Sequence, residues 1–266
     1  MKILCIKGGL GNQLFEYCRY RSLLEEKRER IFLFLDYRQL KQHHNLLITD
    51  CFDIQLPQPP LYINLLVFGI KLFRTIHLFP KLYDDEQSDC LLIDDYCQDK
   101  KYLTNVQQHL QFRNVELTEY YKDCLAQIQS SEFPVSVHVR RGDYLQKDNL
   151  ASFGLCSLSY YESAIQAIVE RHPEATFFFF SDDIEWTKQH LPSPHAVYIT
   201  NQDAPDYIDL YLMTKCKSHI IANSTFSYWG SRLADHDDHL CYYPARWFVN
   251  PEWQSPDIFP SHWISI

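Results

Sequence analysis

Residues 138–144, His138-Val139-Arg140-Arg141-Gly142-Asp143-Tyr144, gather an imidazole, two guanidiniums and a carboxylate at the end of an alternating run. Val135, Val137 and Val139 alternate with Ser136, His138 and Arg140. That period predicts a strand with His138 and Arg140 on one face at its carboxyl end, where ligands bind in open α/β sheets. Adjacent arginines at a strand end are costly to bury unless an anion or a carboxylate lies near. A forked guanidinium suits a diphosphate and can stabilise the charge that develops as a nucleoside diphosphate departs. The competing use is structural, an Arg–Asp pair such as Arg141 with Asp143. We expect both uses, one arginine for a ligand and one for the scaffold.

Other polar groups fall at the ends of apolar runs. Phe177-Phe178-Phe179-Phe180 predicts a buried strand, and Ser181-Asp182-Asp183 follows it. Paired aspartates could hold a metal, but before Ile184-Glu185-Trp186 they read as a helix cap. The cluster Asp235-His236-Asp237-Asp238-His239 also has metal-ligand types, and without a second ligand set it reads as a solvated loop. Asn223-Ser224-Thr225-Phe226-Ser227-Tyr228-Trp229-Gly230 reads as a strand end, a hydroxyl-rich turn and a new helix. Its hydroxyls and N–H groups would form a second anion cradle, where an ordinary N-cap accounts for one hydroxyl alone. Asp209 lies in a helical pattern with Ile208, Tyr211, Leu212 and Lys215 nearby.

Of the 7 glycines, Gly8, Gly9 and Gly11 fall near the start, the last two in Gly9-Leu10-Gly11-Asn12-Gln13-Leu14. Turned between a strand and a helix, this segment would aim backbone N–H groups and the helix dipole at one spot, as phosphate sites do. Three uses stand side by side: a dinucleotide site, with Asp36 as ribose-binding acid; another phosphate site; or a tight turn alone. The dinucleotide fingerprint wants a third glycine where Leu14 stands. Asn12 adds an amide that can donate to a phosphate or sugar oxygen, which no turn requires.

The elements that must position these groups follow from the patterning. Lys2 to Ile6 and Ile31 to Leu35 are continuous apolar runs, and Leu14, Tyr17, Cys18, Arg21 and Leu24 recur at helical spacing between them, the opening of a βαβ unit. The stretch from Lys41 to Ser130 is irregular, with a proline break at Gln58 to Tyr62. Regular alternation resumes near Ser130, so we place a boundary there, giving α/β halves at 1–130 and 131–266.

With 266 residues and 46% hydrophobic content, the chain can bury real cores and is not disordered or collagenous. Its formal charge of −9 argues against general nucleic-acid binding. The 9 cysteines include no C-x-x-C pair and read as reduced, buried thiols without zinc spacing. The N-terminus reads as a first strand, not a signal peptide. Leu61 to Phe79 is the longest apolar stretch, interrupted by Asn64, Lys71, Arg74 and His77, and is no membrane span. It reads either as a core-packing helix with one polar face or as an interfacial helix whose cationic second half touches an anionic membrane.

GGLGNQLFEY at the N-terminus, HVRRGDY at 138–144, FFSDD at 179–183 and IIANSTFSYWG at 220–230, in that order, resemble the α-1,2-fucosyltransferases of glycosyltransferase family 11. The four motifs lie across most of the chain, and together they are specific although each alone is weak. The resemblance implies a GT-B-like pair of Rossmann-type domains facing a cleft, an N-terminal acceptor side and a C-terminal donor side. It implies an inverting transfer of L-fucose from GDP-β-L-fucose to the 2-hydroxyl of a terminal galactose, without metal or cofactor, in glycan, O-antigen or capsule synthesis. On this resemblance Arg140 binds the β-phosphate, His138 lies against the nucleoside and Asp209 accepts from guanine. Ser224, Thr225 and Ser227 complete the diphosphate cradle, while Gly9, Gly11, Asn12 and Gln13 close over the donor. Where the family usually has Trp-Trp, this chain has Tyr228-Trp229. A general base is required, and Asp143, Glu16 and Asp36 are candidates, with Asp143 preferred. A bacterial-type cytoplasmic enzyme, peripheral at the inner face of the plasma membrane, is the expected setting. An NAD-dependent oxidoreductase built on the glycine turn and a non-catalytic sugar-binding module are the competing functions.

Overall fold

A computed structural model describes residues 1–26, 29–43, 45–83, 90–193, 195–201, 203–234 and 239–266. The chain divides into two compact units, Met1–Arg113 and Asn114–Ile266.

The first unit runs β1 (Lys2–Ile6), α1 (Leu10–Glu26), β2 (Ile31–Leu35), α2 (Tyr37–Gln42), α3 (Ile48–Cys51), α4 (Leu61–Thr75), β3 (Leu92–Ile93) and α5 (Val106–His109). Its parallel sheet has the order β2-β1-β3, so the expected βαβ opening is present. All of β1 is buried, which is why it reads as an unbroken apolar run. Ile63, Val67 and Ile70 of α4 pack on Ile3 and Leu92, with Phe32 and Phe34 alongside. Asp36 ends β2 and caps α2, accepting a hydrogen bond from the Gln39 N–H at 3.3 Å, and it pairs with Lys71 Nζ at 2.7 Å.

The second unit contains α6 (Glu119–Ser130), β4 (Phe133–Val139), α7 (Lys147–Ser152), α8 (Leu158–Val169), β5 (Ala175–Ser181), α9 (Ile184–His190) and β6 (Ala196–Ile199). It continues through α10 (Tyr207–Met213), β7 (Ser218–Ile220), α11 (Thr225–Arg232), β8 (Cys241–Tyr243) and β9 (Ile264–Ser265). The strands form one parallel sheet in the order β6-β5-β4-β7-β8-β9. Both faces are covered. Val135, Val137, Phe177 and Phe179 meet Tyr161, Ala164 and Ile168 of α8 on one side. Phe178 and Phe180 meet Tyr121, Cys124 and Ile128 of α6 and Ile208, Leu212 and Met213 of α10 on the other. Each buried Val, Ile, Leu, Phe or Met side chain among them contributes roughly 1.5–3 kcal/mol. The unit therefore begins at Asn114 and not near Ser130: α6 buries its apolar stripe against β5, so it belongs to the second core.

All the cysteines are free thiols, buried except for the half-buried Cys156. The 235–238 stretch, read above as a solvated loop, lies outside the described residues.

Candidate active site

The order of the second sheet fixes where a ligand can bind. From β4 the chain winds outward through β5 and β6, then returns to the other side of β4 as β7 and winds the opposite way. The strand order reverses between β4 and β7, and the connections leaving their carboxyl ends diverge to open a crevice there. Register then sets which residues emerge together. Val139 pairs with Ser181 across β4 and β5, so Arg140 and Arg141 leave beside Asp182 and Asp183. Val137 pairs with Ile220 across β4 and β7, so Arg140 leaves level with Asn223.

The two arginines have different partners. Arg141 Nε donates to Asp183 Oδ2 at 3.1 Å, and its guanidinium stacks 3.6 Å above the centroid of the Trp186 ring. Asp183 also caps α9, accepting from the Trp186 N–H at 3.3 Å. The structural pair is thus Arg141 with Asp183, not Asp143. Arg140 lies between two carboxylates, Nη1 2.9 Å from Asp182 Oδ2 and Nη2 2.7 Å from Asp143 Oδ1, and keeps a third of its side-chain surface in solvent. The Asp143 contact has ion-pair distance without hydrogen-bond alignment. Asp182 is more than a cap: its Oδ1 accepts the Arg141 N–H at 2.8 Å. Gly142 makes this closeness possible, since a Cβ there would stand 2.7 Å from Asp182 Oδ2. Nothing in the residue types distinguishes Asp182 from Asp183; the register does.

His138 is buried on β4, its ring tilted against Phe226 with centroids 5.8 Å apart. Burial, with the Arg140 charge, lowers its pKa to about 4, so the ring is neutral near pH 7 and its Nδ1 lacks a partner within the protein. Asp209, on α10, is partly accessible, but its Oδ1 is enclosed and unpartnered. Burial, reinforced by Asp206, raises its pKa to about 7. α10 lies against α11, where a Cβ at Gly230 would stand 2.8 Å from Met213 Sδ.

The turn after β7 divides by role. Ser224 stands at the N-cap of α11 with extended backbone and no side-chain capping bond, and Thr225 begins the helix. Ser227 is buried, its hydroxyl turned to the carbonyls of Ala222 and Ser224 at 3.5 and 3.3 Å. In this structure the hydroxyl is directed back into the turn. Asn223 is buried too, and its Nδ2 donates to the carbonyls of Phe153 at 2.9 Å and Trp247 at 3.2 Å. The Tyr144 hydroxyl donates to the Asn223 carbonyl at 3.0 Å, and the Tyr144 ring faces the Arg140 guanidinium.

In the first unit, Gly8 carries the turn with φ of 71°, and a Cβ there would crowd Asn12 Nδ2 and Tyr96. Gly9 accepts the N–H groups of Asn12 and Gln13, and Gly11 is buried in the first turn of α1. Asn12 Oδ1 accepts from Gln98 Nε2 at 3.1 Å. Gln13 is fully buried: its Nε2 donates to the carbonyls of Gly8 and Asn45, and its Oε1 accepts from the Ile48 N–H. Its amide ties the turn to the loop before α3, which removes it from the expected donor contacts. Glu16 is buried behind the turn with its pKa raised by burial, unsuited to serve as a base exposed to an acceptor. Asp36, capped into α2 and paired with Lys71, is likewise withdrawn from both ribose binding and base catalysis. Among the described residues, no group of three or more His, Cys, Asp or Glu side chains could hold a metal ion.

Two α/β units, each with a parallel sheet, have the architecture of GT-B glycosyltransferases. Fucosyltransferase NodZ from Bradyrhizobium shares the fold at 16% identity, with a TM-score of 0.53 over 87% of this chain and 91% of that one. The chain belongs to glycosyl transferase family 11, whose model matches residues 93–266. Among its relatives, an α-1,2-colitosyltransferase of Escherichia coli is 30% identical over 98% of this chain and 97% of its own. The O-antigen biosynthesis glycosyltransferase WbnK of Escherichia coli is 27% identical over 92% and 94%. Family membership sets aside the oxidoreductase and the non-catalytic sugar-binding module.

Proposed function

We propose that the protein transfers L-fucose from GDP-β-L-fucose to the 2-hydroxyl of a terminal galactose, with inversion and without a metal, in the synthesis of an O-antigen or a related surface glycan. The observation that carries this reading is Arg140, a partly exposed guanidinium at the switch point of the donor-side sheet. Asp209 supports a guanine nucleotide, since one unpartnered carboxylate can accept both N1–H and N2–H of the base. The neutral His138 ring and the N-terminus of α11 at Ser224 and Thr225 complete the donor side.

In this mechanism the diphosphate replaces Asp143 against Arg140, while Asp182 keeps its hold through the Arg141 N–H. The released Asp143 takes the proton of the galactose 2-hydroxyl as its oxygen bonds to the anomeric carbon. The bond from that carbon to the β-phosphate oxygen breaks, and its electron pair leaves with GDP, stabilised by Arg140. The relative named for α-1,2-colitosyl transfer favours a second donor, since colitose is L-fucose without its 3-hydroxyl.

The test is GDP release with GDP-fucose and GDP-colitose, each against a panel of galactosides, followed by NMR assignment of the product linkage. Fucosyl transfer in α-1,2 linkage, abolished by Arg140→Ala with the fold retained, is the expected result. Wild-type turnover in that variant sinks the assignment of Arg140, and a higher kcat/KM for GDP-colitose replaces the donor.

A further inference from the structure

The transfer reaction leaves the outer side of α4 without a purpose. This helix is apolar on opposite faces. Ile63, Val67 and Ile70 face the sheet and are buried. Leu61, Leu65, Phe68 and Leu72, spaced three and four apart, form a second row on the far side, continued by Ile76 and Phe79. Phe68 is 73% exposed and Leu65 66%. The polar face expected opposite the core is therefore replaced by a contiguous apolar one, and such a patch on a single chain marks an interaction surface.

The charges around this row point to its partner. Residues 61–83 contain Lys71, Arg74, His77 and Lys81 and no acidic residue. α2 adds exposed Arg38 and Lys41, again without an acid, and borders α4 along a pocket of about 570 Å³ lined by Arg38, Phe68 and Lys71. Asp36 and Asp94 offset Lys71 and Arg74 in part, yet the Arg74 side chain keeps 48% of its surface in solvent. In a chain of net charge −9, this face combines an apolar row with flanking cations. Anionic bilayers complement both: acyl chains receive the row and headgroups meet the cations. A second copy of the same face would set cations against cations. At about 22 Å, α4 is too short to span a bilayer, and none of the described helices is long and apolar enough to cross a membrane.

We propose that α4 and the segment through Phe79 dock the first unit flat on an anionic lipid bilayer, with Leu61, Leu65, Phe68 and Leu72 entering the acyl boundary and Arg38, Lys41 and Arg74 at the headgroups. The inference is independent of which sugar is transferred.

The experiment is flotation of the full chain with vesicles of phosphatidylcholine alone or mixed with phosphatidylglycerol. Partition at least about tenfold higher on the anionic vesicles, weakened by salt, is expected. Leu65→Ser with Phe68→Ser should lose most of that partition at an unchanged melting temperature. If that variant does not fold, Arg38→Glu with Lys41→Glu should lose the preference for anionic lipid. No partition of the wild type, or a dimer in analytical ultracentrifugation that the Leu65/Phe68 variant dissolves, would overturn the proposal.

Discussion

The guanidinium of Arg140 lies 2.7 Å from the carboxylate of Asp143. In the proposed mechanism the group that meets the diphosphate and the group that takes the proton are held in one pair, which the donor separates. Binding and turnover should therefore respond in opposite directions when Asp143 loses its charge.

Asp143→Asn should bind GDP about two- to fivefold more tightly, since a half-exposed pair is worth only ~0.5–1 kcal/mol. Its turnover should fall by at least about 100-fold, as expected for loss of a general base. Calorimetric titration with GDP and a GDP-release assay measure the two effects. Weaker GDP binding in this variant would show that Asp143 orients Arg140 and does not compete for it.

Asp182 tests the opposite case, a carboxylate that stays. Asp182→Asn removes the charge facing Arg140 and weakens the bond to the Arg141 N–H, and we expect kcat to drop with a stability loss of ~1 kcal/mol. Gly142→Ala should move in the same direction, because its new Cβ would displace the Asp182 carboxylate. Unchanged kcat in both variants would detach Asp182 from the positioning of Arg140.

Asp209 gives a pH dependence of defined sign. With its pKa raised to about 7 by burial and by Asp206, the empty protein carries it protonated below neutrality. With Asp209 in its proposed role the base needs the carboxylate, so GDP affinity should fall by up to about tenfold per pH unit below 7 and should level off above it. Asp209→Asn should flatten that dependence. The folded chain also holds this proton where the unfolded chain, near 3.8, releases it. Its stabilising contribution is complete below about pH 4 and is lost as pH rises to 7. Melting curves of wild type and Asp209→Asn should therefore diverge upward in pH, the wild type becoming relatively less stable.

Gly154 has φ of 67°, and a Cβ there would meet Val249 Cγ1 at 2.4 Å. Gly154→Ala should cost about 1–3 kcal/mol of stability. Adding Val249→Ala removes the collision but not the backbone strain, so the double variant should recover part of the loss. Full recovery would mean that the left-handed backbone costs nothing here.

The parallel core was legible because strands covered on both faces must be apolar throughout, as Ile31–Leu35 and Phe177–Phe180 are. β3 and β9 are two residues long, too short for any period to register. The start of the second unit was misplaced because the apolar stripe of α6 says that it packs, not upon which sheet. At the site, the types of His138, Arg140 and Asp209 announced chemistry. Residue type did not show that the Gln13 amide and the Ser227 hydroxyl turn to backbone carbonyls. Asp182 acquired its role through strand register, which no single run of residues encodes.

Asn223 joins parts of the chain that are far apart in sequence: one carboxamide grips the carbonyls of Phe153 and Trp247, while its own carbonyl takes the Tyr144 hydroxyl. These segments cannot open one at a time without breaking a shared bond in a buried place. In hydrogen exchange they should behave as one cooperative unit. The opening of this stretch is then set partly by Trp247, a residue far along the chain with no charge.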